Sequence, residues 1–184
     1  MTQANRQILD AAGVDAALDD LATQLLERGS DLAHLAVIGI RRRGAPIAER
    51  LVAKIAARTG EAPPRLGILD ITLYRDDLTL VADQPVVSGT EIPFPVDGLR
   101  VVLTDDVLFT GRTTRAAIDA LFAIGRPAKI ELAVLVDRGH RELPIAADYA
   151  AVTVQTERAE QVLVHMAEID GDDLVEVVPQ EGAA

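Results

Sequence analysis

Short apolar runs alternating with stretches of helical spacing constrain this chain more than any other feature. Leu35–Ile40, Leu99–Leu103 and Ile130–Val136 are each suited to a buried strand. Pro46 fits the first turn of a helix reaching about Arg58, and a second helix runs from about Thr113 to Ile124, where Gly125 and Pro127 stop it. Leu66–Leu73 reads as a further strand. Such alternation implies an α/β fold with a parallel, right-handed sheet. Before it, Val14, Ala17, Leu18, Leu21, Ala22, Leu25 and Leu26 mark an amphipathic helix over Val14–Arg28, with Asp15, Asp19, Asp20 and Glu27 on its outer face. After Pro144 the pattern changes. Ala150–Val154, Val162–Glu168 and Leu174–Val178 read as strands, the last two joined as a hairpin at Asp170-Gly171-Asp172. Between Arg75 and Gly98, three prolines and two glycines among charged residues predict a long, mobile loop over about 75–98. With 184 residues and no linker composition, residues 1–184 are expected to form a single domain.

Composition excludes several classes. No cysteine is present, so disulfides, thiolate zinc sites and a cysteine nucleophile are ruled out. Two Tyr, three Phe and no Trp argue against a base-stacking platform for single strands. The first ten residues carry no signal-peptide pattern, and no apolar run approaches the ~20 residues of a membrane helix. A soluble, cytoplasmic protein with no membrane partner is the expectation. The formal net charge is -11, unevenly spread. Residues 1–35 hold two basic and six acidic side chains, and residues 142–184 hold one and ten. Residues 36–141 hold fifteen basic and thirteen acidic, so arginines crowd the centre of an acidic molecule. That is the distribution of an anion site between acidic flanks.

The chemistry concentrates in VVLTDDVLFTGRTTRAAIDAL, Val101 to Leu121. A strand ends near Asp105 and Asp106, and ligands of open α/β sheets bind outside carboxyl strand ends. Thr110, Gly111, Arg112 and Thr113 then open a helix, where backbone N–H groups and the helix dipole suit a phosphate. Paired carboxylates accept hydrogen bonds from vicinal hydroxyls. Together these are the two halves of a ribose-5-phosphate site. Neither G-x-x-x-x-G-K-[ST] nor a strand-linked G-x-G-x-x-G is present.

This segment resembles the phosphoribosyl-pyrophosphate (PRPP) signature of type I phosphoribosyltransferases. DITLYRDDL (Asp70–Leu78) and LAVLVDRGHRELPIAADY (Leu132–Tyr149) narrow the resemblance to the PyrR family, bifunctional pyrimidine-operon regulators with uracil phosphoribosyltransferase activity. The resemblance implies the type I fold, a central, mostly parallel sheet flanked by helices with an appended antiparallel hairpin. It implies transfer of ribose-5-phosphate from PRPP to uracil, giving UMP and diphosphate, with Mg²⁺ bound through PRPP or diphosphate and no metal ligated directly. The catalytic residues it implies are Asp105, Asp106 and Arg43. Thr104, Val107, Leu108, Phe109, Thr110, Gly111, Arg112 and Thr113 would bind PRPP and its phosphate. Arg41, Arg42, Arg43 and Gly44 would form the pyrophosphate loop, and Tyr74, Arg75, Asp76 and Asp77 the start of the closing loop. Asp137 and Arg138 lie where such proteins bind the base, with His140 in a supporting role. His34 and His165 lack partners at metal-ligand spacing.

The resemblance also implies UMP- or UTP-dependent binding to pyr operon leader mRNA, and a homodimer or homotetramer. Here the sequence departs from the pattern. Asp19, Asp20 and Thr23 stand where RNA-binding relatives tend to carry Thr, Arg and His, although Arg28 is retained. Ala151, Val152 and Thr153 replace a common Gly-Lys-Asn stretch. Both changes remove donors or positive charge from the expected RNA face. A transferase without RNA binding, or one acting on another nucleobase, is the alternative.

Overall fold

A computed structural model describes residues 5–29, 31–74 and 89–180. Five strands form a parallel sheet in the order β3-β2-β4-β5-β6: β2 Leu35–Ile40, β3 Arg65–Leu69, β4 Arg100–Leu108, β5 Lys129–Asp137 and β6 Tyr149–Thr153. Val37 registers with Leu66 on one side and Val102 on the other, Leu103 with Leu132, and Val134 with Ala150. β2 is buried along its whole length, which explains its unbroken apolar run.

Side-chain alternation along the strands divides the core in two. Val37, Val102, Ala133 and Leu135 pack beneath α1 (Ala11–Glu27) and α2 (Gly44–Thr59). Ile38, Val101, Leu103, Leu132 and Val134 pack against Ala116, Ala117, Ala120 and Leu121 of α3 (Arg112–Ile124) on the opposite face. In α1 the buried residues are Val14, Ala17, Leu18, Leu21, Ala22 and Leu25, the stripe expected from spacing. The helix begins three residues before the expected Val14, because Asp10 accepts the Gly13 N–H at 2.8 Å and caps it. Its acidic face is not wholly solvated: Asp15 and Asp19 pair with Lys54 of α2 at 2.7 and 3.1 Å, and Asp19 pairs with Arg58 at 3.0 Å.

Three departures from expectation have physical causes in the structure. β3 stops at Leu69 rather than Leu73, since Asp70 accepts the Thr72 N–H and hydroxyl at 2.9 and 2.6 Å and turns the chain into a 3₁₀ turn, Thr72–Tyr74. β4 runs five residues past Leu103, because its backbone keeps pairing with β5 as far as Leu108 opposite Asp137. The expected antiparallel pairing of the last two strands is present, and β1 joins it to make a three-stranded sheet, β1-β8-β7. It comprises β1 Arg6–Leu9, β7 Glu160–His165 and β8 Leu174–Pro179, with the short helix α4 (Ala167–Asp170) between the last two. Asp170 accepts the Met166 N–H and Asp173 the Ala167 N–H, at 2.9 and 2.8 Å, which ends the strand and coils the connection. Within the expected loop over 75–98, Glu91 bridges to Ile68 through two backbone hydrogen bonds of 2.9 and 2.7 Å, and Val96 is buried. Residues 75–88, including Arg75, Asp76 and Asp77, lie outside the described residues. Among the described residues, no helix is long and apolar enough to cross a membrane.

Candidate active site

In the order β3-β2-β4-β5-β6, successive strands are laid down in opposite directions from the gap between β2 and β4. That gap is the topological switch point, where the loops leaving adjacent strands part and open a crevice. The loop after β2 is Arg41–Arg43, and the loop after β4 is Phe109–Gly111. Both loops are legible in the sequence. Only the strand order makes them neighbours.

Gly44 opens α2 against β4, and the approach is close. A Cβ there would lie 2.3 Å from the Thr104 carbonyl oxygen, while the buried Thr104 hydroxyl donates to the Gly44 carbonyl at 2.8 Å. Thr104 therefore fastens the basic loop to the strand that bears the carboxylates. Arg41 pairs with Glu91 at 3.1 Å, and Arg43 is held by Asp170 of α4 through two bonds, Nε at 3.0 Å and Nη2 at 2.8 Å. That guanidinium, with the Met166 N–H, draws the Asp170 carboxyl down to about 2. Arg41, Arg42, Pro46, Ile68 and Ile169 help to line a cavity of about 530 Å³ beside the loop.

Asp105 and Asp106 lie inside β4, near its end. Asp105 is buried and accepts the Asp106 N–H at 3.0 Å, and Asp106 accepts the Val107 N–H at 2.9 Å. The partly exposed Asp106 is the more accessible of the two. Val107 and Leu108 direct their side chains into the two core layers, so only their backbone faces the chemistry. Gly111 adopts φ 92° as the cap of α3, a left-handed conformation that costs glycine nothing, and the first N–H groups of α3 follow it. Thr113 is partly buried there, while the exposed Arg112 pairs with Glu142 at 3.0 Å. The Thr110 carbonyl accepts the Glu142 and Leu143 N–H groups at 3.0 and 3.2 Å.

A second cavity, about 500 Å³, lies between residues 137–141 and 153–156. Its side chains are largely committed to one another. Asp137 accepts the Gly139 N–H at 2.9 Å and binds Arg141, which also donates to the Phe109 carbonyl at 2.9 Å. Arg138 is buried, bonded to Thr156 and to the Glu157 and Glu160 carbonyls, and lies 4.1 Å from the Phe109 ring centroid. Its burial lowers the guanidinium pKa. His140 approaches the Thr156 carbonyl at 2.6 Å and meets Phe109 edge-on. Tyr74 is exposed at the end of its 3₁₀ turn. Arg28 lies beside the amino end of β6, opposite the carboxyl strand ends, packed over the Tyr149 ring at 4.8 Å and near Asp148 at 3.6 Å. Arg141, Glu142, Thr156 and Asp170 carry no sequence signal that marks them as site residues. Their roles come from contacts across chain separations as large as 127 residues, which spacing does not reveal.

A phosphoribosyl transferase domain model matches residues 4–166. A bifunctional protein PyrR from Pelotomaculum thermopropionicum is 53% identical over 97% of this chain and 98% of its own. Those of Deinococcus radiodurans and Thermus thermophilus are each 50% identical, over 98% and 96% of this chain and 98% and 97% of theirs. Among solved structures, a hypoxanthine phosphoribosyltransferase from Staphylococcus aureus is similar, with a TM-score of 0.69 and 16% identity over 97% of this chain and 94% of that one. That from Trypanosoma cruzi has a TM-score of 0.69 and 15% identity over 96% and 97%. At such identities the likeness to both shows the shared fold.

Proposed function

The chain belongs to the PyrR family of phosphoribosyltransferases, and from that premise we propose that it makes UMP and diphosphate from uracil and PRPP and regulates expression of the pyrimidine operon. One observation carries the enzymatic reading. A carboxylate pair, an amide-rich turn and an arginine loop converge at the switch point of the sheet.

Asp105 and Asp106 accept the ribose hydroxyls. The Thr110–Thr113 turn binds the 5′-phosphate through backbone N–H groups at the start of α3 and the Thr110 and Thr113 hydroxyls. Arg41, Arg42, Arg43 and Gly44 take the diphosphate, and the cavity over residues 137–141 and 153–156 takes the base. Because the Asp137 and Arg138 side chains are already engaged, backbone groups read uracil and the side chains set the shape of the pocket. As the C1–oxygen bond of PRPP breaks and a base nitrogen bonds to C1, positive charge grows on the sugar and negative charge on diphosphate. The site answers with fixed carboxylates for the first and guanidinium groups for the second.

The donor set fits Mg²⁺. Two carboxylates stand at one strand end, and the described residues hold no cluster of three or more ligating side chains. An ion that keeps waters and substrate phosphate oxygens suits such a site. When bound with PRPP, Mg²⁺ neutralises charge on the departing diphosphate.

Product assays with uracil, hypoxanthine and guanine test the substrate. UMP from uracil alone is the expected result. A purine nucleotide in preference to UMP would overturn it, and the fold shared with hypoxanthine enzymes does not decide between the two.

A further inference from the structure

We propose that Asp170 is a positioning residue for diphosphate, holding the Nε–Nη2 edge of Arg43 so that Nη1 meets the leaving group. This rests on the transferase reading above. The contact is bidentate, at 3.0 and 2.8 Å, and joins the pyrophosphate loop to α4 across 127 residues of sequence. A guanidinium is a planar fork with five donors, so one edge can be held by the protein while the other binds an anion.

Asp170 is itself held. Its Oδ2 accepts the Met166 N–H at 2.9 Å, so the carboxylate is oriented by its own turn. The turn is fastened to α2 by Arg50, which makes paired bonds to Glu168, both 2.7 Å, and to Asp173, both 2.8 Å. Asp173 in turn accepts the Ala167 N–H at 2.8 Å. A carboxylate acting merely as a stand-in for diphosphate would need freedom to withdraw, whereas this one is oriented by the Met166 N–H within a turn that Arg50 clamps through its neighbours. Arg43 is one-third exposed and would otherwise sample many rotamers. Fixing it beforehand removes that entropy from the binding step.

Calorimetric titration of the full chain with magnesium diphosphate reads the clasp directly, and steady-state assays read it in turnover. Asn retains an oxygen for the Met166 N–H but loses the charge that grips Arg43. Asp170→Asn should weaken diphosphate binding about tenfold and raise KM for PRPP by a like factor, as expected for one lost charged contact. KM for uracil should change by less than about twofold, because the base pocket does not include this residue. In the double variant with Arg43→Ala, the loss should be no greater than for Arg43→Ala alone, since both act through one contact. Unchanged or tighter diphosphate binding in Asp170→Asn would overturn the proposal, the tighter result marking Asp170 as a competitor. Losses that multiply in the double variant would overturn it too. If the wild type makes no UMP but Asp170→Asn still loses diphosphate affinity, the substrate assignment fails and the clasp stands. If UMP forms and diphosphate binding ignores Asp170, the clasp fails and the transferase reading stands.

Discussion

Asp106 combines partial exposure with an anchored oxygen. Its Oδ1 accepts the Val107 N–H at 2.9 Å, and an asparagine in the same rotamer would retain that bond. Asp106→Asn should therefore fold and melt like the wild type while kcat falls about a hundredfold, the scale of losing one electrostatic contact that matters in the transition state. Activity close to wild type would remove Asp106 from the site. Asp105 is the less accessible of the pair, buried and accepting the N–H of its neighbour. Both acids were legible in the sequence as a pair. Their unequal exposure was not, because β4 continues past them instead of ending at Leu103.

Among the elements, α2 connects the two sheets. Its inner face packs on the parallel strands through Ile47, Ala48, Leu51 and Ile55, and its Arg50 reaches across to Glu168 and Asp173 on the antiparallel side. Arg50 hydrogen bonds hold both carboxyls below their ordinary range. A carboxyl depressed in the folded state contributes stability that is present above its unfolded pKa and lost as the pH falls through its folded one. Arg50→Met should thus cost about 2 kcal/mol at pH 7, allowing for the partial exposure of the pair, or a fall in Tm of about 5 °C. The gap from wild type should narrow below about pH 4, where carboxylates protonate. Equal melting at pH 7 would show that apolar packing alone docks the small sheet. Sequence patterning located α2 to within two residues at either end, because its apolar stripe repeats over four turns. It missed β1, a four-residue strand of half-exposed residues whose partner β8 lies about 170 residues away.

At the scale of the molecule, the net charge of -11 bears on the regulatory role. Lys54 and Arg58 are engaged by the acids of α1, and Arg28 by Asp148 and Tyr149, so these cations are not a free basic surface. Gel-shift titration with a pyr leader transcript should show saturable, sequence-selective binding that UMP strengthens. Its salt dependence should be shallower than the roughly 10³-fold or greater loss between 50 and 200 mM of proteins making many phosphate contacts. Absence of selective binding with and without UMP would exclude direct action on the transcript. The sequence by itself determined the alternating α/β architecture, the carboxylate pair, the glycine turn and the arginine loop, since each is written in neighbouring residues whose spacing reflects local geometry. The tertiary structure alone decided that these loops meet at one switch point, that a third strand completes the small sheet, and that Asp170 holds Arg43. Those are pairings between distant segments, selected by burial and charge satisfaction in the folded chain rather than by any local pattern.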